Sequence, residues 1–352
     1  MKEAIVVGAG PAGAGAVAGF SGHVDRVVVY EANERLAAKP CGRGIPVIGD
    51  LPVRVPRESV YHRIRRAVMY VNGRYLFTLE GVFEGYIVDK ERFLEAVISD
   101  YGGELVKGAK VKPDGRVRVG GEDKAVRGPG VFAGGHVYYE GEKILAVQYR
   151  LKTSEFDDSD TLEIYFDTSL IGYYYVFPAA PGTVDVGVGG FADYNRLKNL
   201  LDTFIKTDER LRDRQKIKLE GARIAVGGIV HGFYASLPKT GEAAGFVLPL
   251  TGEGIRPSML SGFYAARAIV DGSSPQEAMD RLEIARAVRV QRRILEAVKR
   301  MTSLEREELM RGLPAEAHAL ISLGRLDAQR LARVLAFRPK IAAKILKYVV
   351  QG

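Results

Sequence analysis

The residues with the clearest chemical potential stand at the start of the chain. Gly8, Gly10 and Gly13 form a Gly-x-Gly-x-x-Gly turn after the apolar run Ile5-Val6-Val7. An alanine-rich segment that includes Ala12 follows as far as Gly19. A second apolar run, Val27 to Tyr30, ends in Glu31. The spacing predicts a strand, a tight turn, a helix and a second strand with an acid at its tip. The first glycine permits the turn, the second lets the backbone approach a pyrophosphate, and the third lets helix and strand pack closely. The helix N-terminus would face phosphates with unpaired N–H groups and the positive end of its dipole. Glu31 can accept from ribose hydroxyls. The alternative is a buried βα unit without a ligand.

Cys41, the only thiol of the chain, sits in Lys39-Pro40-Cys41-Gly42-Arg43-Gly44, a loop by its glycines. It is either a reactive group or a small packing residue. Tyr173, Tyr175 and Phe177 alternate ahead of Pro178, so on a strand they share one face. That face is either the wall of an apolar pocket or ordinary sheet core. Gly252, Gly254 and Ile255 end a glycine-rich loop that contains Glu242 and opens a helix. Such a loop can aim backbone N–H groups at an anionic ligand, or simply connect two elements. Glu242 meets an anionic ligand only through hydrogen-bond donors. Otherwise it is a helix-cap or surface acid. The histidines lie far apart, with no His-x-x-x-His pair, so no metal site is expected. No nucleophile elbow supports hydrolysis.

The elements that must hold these residues are legible in outline. At 352 residues the chain suffices for about two domains. Val68 to Leu79 alternates around Asn72-Gly73, a hairpin signal. Phe93, Leu94, Val97 and Ile98 share a helical face behind Asp89, the expected N-cap. Strand-like runs follow at Ile144 to Leu151, Thr161 to Phe166, Tyr173 to Phe177 and Val184 to Val188, then a helix from about Tyr194 to Leu211. A helix near Pro257 to Val270 comes next, and Ser274-Pro275-Gln276-Glu277 caps another. The rest reads as helical. No apolar run reaches the ~20 residues that span a bilayer. A start directly in a strand argues against a signal peptide. One cysteine fits a reducing interior, so the expected compartment is the cytoplasm. The net charge of +8 suits anionic partners. Nucleic acid is not expected, because Arg63, Arg65 and Arg66 read as a solvated helix face.

These blocks, in this order, resemble the geranylgeranyl reductases, flavoproteins of the p-hydroxybenzoate hydroxylase-like fold that include the archaeal digeranylgeranylglycerophospholipid reductases. Gly8 to Gly13 with Glu31 are similar to the FAD-binding start. Lys39 to Gly44 resembles the Lys-Pro-Cys-Gly-x-Gly loop that lies against the flavin. Tyr173 to Pro178, followed by Gly187-Val188-Gly189, resembles a Tyr-x-Trp-x-Phe-Pro signature and its later Gly-x-Gly. Gly241 to Ile255 resembles the second FAD motif. Glu242 stands for the usual Asp, Tyr175 for Trp and Lys90 for Arg. Ala133-Gly134-Gly135 lacks the acid or hydroxyl often found before that last glycine.

The resemblance implies an α/β fold, α+β overall. A Rossmann-like FAD-binding domain (residues 1–50, 84–135 and 226–272) carries an inserted antiparallel β-rich substrate domain (51–83 and 136–225). A helical C-terminal region (273–352) follows. FAD is implied at Gly8, Gly10, Ala12, Gly13, Glu31, Cys41, Gly42, Lys90, Glu242, Gly252, Gly254 and Ile255, with Cys41 also catalytic. The substrate is implied at Tyr173, Tyr175, Phe177 and Pro178. The activity implied is reduction of isolated C=C bonds in a prenylated lipid or prenyl diphosphate, with ferredoxin or NAD(P)H as electron donor. Two alternatives share the fold: an FAD-dependent aromatic monooxygenase, and a flavin- or lipid-binding protein without turnover. The last helix, Arg338 to Val349, carries Ile341, Ile345, Leu346 and Val349 on one side. It either packs on the body, its lysines in solvent, or rests on the inner face of an anionic membrane.

Overall fold

The computed structural model describes residues 2–336, with 339 and 343. β1 (Glu3–Val7) enters the glycine turn, α1 (Pro11–Phe20) leaves it, and β2 (Arg26–Tyr30) lies parallel to β1. The turn needs its glycines. Gly8 has φ +103°, and a Cβ there would sit 2.8 Å from the Ala133 carbonyl carbon. At Gly13 a Cβ would overlap the Gly8 carbonyl oxygen, so α1 could not close on the turn.

A short strand, β3 (Gly44–Pro46), precedes a long hairpin of β4 (Val60–Val71) and β5 (Arg74–Val88). Its turn is at Asn72-Gly73, both with positive φ, as an Asn-Gly hairpin turn requires. α2 (Lys90–Asp100) starts at Asp89, whose side chain accepts from the Arg92 N–H. The chain then forms β6 (Gly103–Val106), a small β7–β8 hairpin (Arg116–Val119, Glu122–Ala125) and β9 (Gly130–Phe132). β6, β2, β1 and β9 make a parallel four-stranded sheet in that order.

The second half of the sheet structure is β10 (Lys143–Lys152), β11 (Thr161–Asp167), β12 (Gly172–Pro178), β13 (Thr183–Gly190) and, after α3 (Tyr194–Thr207), β14 (Lys216–Ala225). With the earlier hairpin these build an eight-stranded sheet, β14-β10-β13-β12-β11-β4-β5-β3. Its pairs are antiparallel except β4 with β11, which run parallel. Leu197, Leu201 and Ile205 of α3 bury against the face of this sheet that carries Val147, Val176, Val184, Val186 and Val188. The opposite face is left for the site.

A small β15–β16 ribbon (Phe233–Tyr234, Leu237–Pro238) leads into α4 (Ile255–Val270). Glycines let α4 and α1 touch: a Cβ on Gly262 would stand 2.8 Å from the Ala12 carbonyl carbon, and one on Gly15 2.8 Å from the Met259 carbonyl carbon. α5 (Pro275–Asp280) is capped by Ser274, followed by α6 (Glu283–Arg300), α7 (Ser303–Gly312), α8 (Ala315–Ser322) and α9 (Ala328–Ala336).

One expectation is corrected. Arg63, Arg65 and Arg66 lie on strand β4, not on a helix. A register shift between Ile64 and Arg66 puts Arg65 and Arg66 both outward while Ile64 stays buried. A bulge of this kind breaks strict alternation, which is why the run imitates a helical face. The expected helix Arg338 to Val349 lies outside the described residues.

Candidate functional site

The site is a cavity of about 1030 Å³ between the parallel sheet, the open face of the large sheet and the C-terminal helices. Its size is at the upper end for small-molecule pockets. One end is the nucleotide turn, with Gly8, Gly10 and Ala12 on its wall. Gly13 does not line it; that residue holds α1 against the turn. An added Cβ on Gly10 would meet no atom within 4 Å, so the backbone there is open to a ligand. α1 begins beside it with no side-chain cap, which leaves its first N–H groups available.

Glu31 is buried at the tip of β2. It accepts from the Ala9 N–H at 2.8 Å and from the Asn33 backbone and side-chain nitrogens at 2.9 and 2.7 Å. It therefore fixes the turn and retains one acceptor position for a ligand hydroxyl. Lys90, 9 % exposed, lines the cavity and makes no hydrogen bond or ion pair with the described residues. A buried cation without a protein partner is a strong reason to expect an anion beside it. Open turn, free helix end and unpaired Lys90 together fit a dinucleotide cofactor.

The middle of the cavity is the loop at Cys41 and the block at Glu242. The Cys41 thiol is half-buried and its Sγ accepts from the Arg43 N–H at 3.3 Å. Arg43 itself has φ +59°, a strained value for a residue with a side chain. Glu242 reaches across to Lys39, with both carboxylate oxygens 2.6 Å from Nζ, and also accepts from the Ala225 N–H. The methylene that distinguishes it from Asp is used to span this gap. The sequence pattern did not identify Lys39 as its partner. His136 stands on the same rim, and burial with nearby Lys39 lowers its pKa. Gly252, Gly254 and Ile255 line the cavity where α4 begins, as does Glu253.

The far end is apolar. Tyr173, Tyr175 and Phe177 all face it, while Pro178 does not reach the wall and is buried at the end of β12. Phe177 stacks beside Gly42, where a Cβ would come within 2.8 Å of Cδ2. This contact joins the Cys41 loop to the aromatic wall. The Tyr173 hydroxyl donates to the Thr251 carbonyl. Tyr175 leans across Gly187 of β13 and donates to Gln148 Oε1 of β10 at 2.7 Å. Burial pushes both phenol pKa values well up, so both stay protonated. Met69, Leu79, Ile164 and Phe166 extend the wall from the hairpin and β11. Leu295, Val298, Leu309, Met310, Leu313 and Ile321 close it from α6, α7 and α8. These helical residues and Gln148 were missed from sequence. Their apolar spacing was readable, but not the surface they cover. Among the described residues no cluster of His, Cys, Asp and Glu has metal-binding geometry, and no helix is long and apolar enough to cross a membrane.

Known proteins resemble this chain in sequence and in fold. The family model described as geranylgeranyl reductase catalytic domain matches residues 143–224, the run from β10 to β14. A digeranylgeranylglycerophospholipid reductase of Thermoplasma acidophilum is 25 % identical over 305 residues, covering 75 % of this chain and 77 % of its own. That of Methanocaldococcus jannaschii is 24 % identical over 307 residues, 76 % of this chain and 78 % of its own. A geranylgeranyl bacteriochlorophyll reductase-like structure from Thermoplasma acidophilum superposes with TM-score 0.79 at 22 % identity, covering 99 % of this chain and all of that one. A flavin-dependent brominase superposes at 0.72 with 14 % identity, covering 98 % of this chain and 99 % of its own, a likeness of fold alone. The class is thus an oxidoreductase on the flavoprotein fold. Within it, the chain is similar to the geranylgeranyl reductases, through the catalytic-domain match at residues 143–224 and the curated relatives that align over about three quarters of its length.

Proposed function

We propose that this protein binds FAD and reduces isolated C=C bonds in the prenyl chains of a lipid precursor. The observation that carries the reading is the continuity of the cavity. It runs from an anion-ready turn at Gly10, past Cys41, to a wall of Tyr173, Tyr175 and Phe177 and an apolar lining of helices. A long apolar chain and a dinucleotide can share it end to end.

In this reading Gly10, Ala12 and Lys90 receive the pyrophosphate, and Glu31 the adenosine ribose. Lys39 and Glu242 pin the Cys41 loop at the cofactor's centre, and the start of α4 receives its pyrimidine edge. When bound, reduced flavin would supply the hydride. The protein's share is to hold the double bond on the aromatic wall and exclude water, and such positioning contributes up to about 7–11 kcal/mol for two reacting groups. In this reading the Cys41 thiol, which lines the cavity beside the Gly42–Phe177 contact, holds the proton for the alkene carbon. Electrons arrive from ferredoxin or NAD(P)H.

The test uses the purified protein loaded with FAD and reduced anaerobically by dithionite. Addition of a geranylgeranylated phospholipid should reoxidise the flavin, and the product should gain two hydrogens per reduced bond by mass spectrometry. Reduced flavin that persists with prenylated lipids and diphosphates alike refutes the reading. Oxygen uptake stimulated by a phenol would identify a monooxygenase instead.

A further inference from the structure

Where α4 begins, the structure buries a charge cluster that the proposed reaction leaves unused. Arg256 is 1 % exposed. Its Nη1 donates to Asp50 Oδ2 at 2.6 Å and its Nη2 to the Leu323 carbonyl at 2.6 Å. Its Nε donates to no protein atom among the described residues. Glu253 stands on the other side. Oε1 accepts from the Arg256 backbone N–H at 3.0 Å, while Oε2 lies 3.4 Å from Nη2. The guanidinium is therefore committed mainly to Asp50.

One cation faces two carboxyl groups, and they are not equivalent. The Asp50 side chain is 37 % exposed and that of Glu253 12 %. Water stabilises charge on Asp50, whereas a second buried anion beside a single arginine is disfavoured. Burial raises the Glu253 pKa above the usual carboxyl range, and Arg256 only partly opposes it. The charged groups facing Glu253 are Arg256 and Asp50; the neighbouring backbone belongs to Leu248, whose N–H donates to the Glu253 carbonyl.

We propose that Glu253 is kept as a neutral carboxylic acid whose Oε2–H donates into the cavity, to the pyrimidine edge of the bound flavin, and thereby favours the reduced cofactor. This rests on the flavin reading above. Oε1 already accepts from the helix N–H, and Oε2 accepts only a long bond from Arg256 Nη2, which leaves the Oε2 proton for an acceptor in the cavity. Glu253 lines that cavity between Gly252 and Gly254. An ionised carboxylate in the same place would repel the charge that reduction brings. Buried sites elsewhere keep carboxyl groups neutral for such donation. The hydrogen bond is donated and no proton is transferred.

The experiment compares wild type, Glu253→Gln and Glu253→Ala, each loaded with FAD. The two-electron midpoint potential is measured anaerobically against reference dyes across pH. The alanine variant should disfavour reduced over oxidised flavin by about tenfold, ~30 mV for a two-electron couple. The glutamine variant keeps a donor and should stay close to wild type near neutral pH. At alkaline pH the wild-type potential should fall below that of the glutamine variant as Glu253 ionises. In the cofactor-free protein Glu253→Gln should leave the urea midpoint unchanged near neutral pH, because the amide mimics the neutral acid. Equal potentials and slopes in all three loaded proteins overturn this inference alone, as does a large loss of apoprotein stability in Glu253→Gln. A wild type that binds no flavin overturns the flavin reading and this inference with it.

Discussion

Gly187→Ala gives a sharp test of how the aromatic wall is built. Gly187 lies on β13 between Tyr175 of β12 and Gln148 of β10 in register. It has no positive φ, so alanine meets no backbone strain. In a strand the change should stabilise by roughly 0.5–1 kcal/mol through backbone entropy alone. Here an added Cβ would overlap Tyr175 Cζ and Oη and stand 2.6 Å from Cε1. The ring must move, and its 2.7 Å hydrogen bond to Gln148 is lost with it. Overpacking costs about 1–3 kcal/mol, and the lost buried hydrogen bond about 1 kcal/mol more. The net effect should be a loss of roughly 1–3 kcal/mol, read as a fall in the urea midpoint at constant m. Gly189→Ala is the internal control, since the nearest atom its Cβ would meet is Ala146 Cβ at 3.4 Å, an ordinary contact, and it should cost little. In a Tyr175→Leu background the Gly187→Ala penalty should largely vanish, a coupling of about 1–3 kcal/mol. If Gly187→Ala costs the same with and without the Tyr175 ring, the ring is not what demands glycine.

Other outcomes follow from the same geometry. Cys41→Ser should retain FAD and slow alkene reduction by about a hundredfold, the scale of proton-donor catalysis; unchanged turnover at normal flavin content removes the thiol from the chemistry. Glu242→Gln should loosen the Cys41 loop, and flavin release followed by fluorescence should be faster than in wild type while secondary structure is retained. Lys90→Met should weaken FAD binding by about tenfold or more, through loss of the unpaired cation; an unchanged Kd by flavin quenching would show that no phosphate lies beside it. Asp202 supplies a pH test away from the site. Burial opposes its charge, but Lys198 and Lys216 outweigh that and lower its pKa to about 2. A depressed folded pKa means the contribution is full above the ordinary Asp value and lost as pH falls towards about 2. Asp202→Asn should therefore cost up to about 1 kcal/mol at neutral pH and nothing in strong acid; a penalty independent of pH contradicts the assignment.

Much of the scaffold was legible because local chemistry and tertiary role coincide. Asn72-Gly73 sets a hairpin by backbone alone, and Asp89 caps α2 in the register that the apolar face of Phe93, Leu94, Val97 and Ile98 demands. The arginines of β4 misled because a bulge suspends alternation, which only strand pairing reveals. Gln148 was invisible for a related reason. Its partner Tyr175 is two strands away, and no spacing encodes that contact. The helical lining from Leu295 to Ile321 was readable as apolar helix, but the choice of cavity over another helix is made by packing.

The Lys39–Glu242 bridge joins residues 203 positions apart. Everything between them, including the whole run from β4 to β14, must be synthesised before the loop around Cys41 can be held by this bridge. On the ribosome the nucleotide turn can form early, but a cofactor cradle pinned by that bridge cannot exist until the chain has passed Glu242. Contacts of such long range are slow to assemble, so holo protein should arise only late in synthesis. A nascent chain stalled before residue 242 should have no pinned loop with which to hold flavin, however well its first strands have folded.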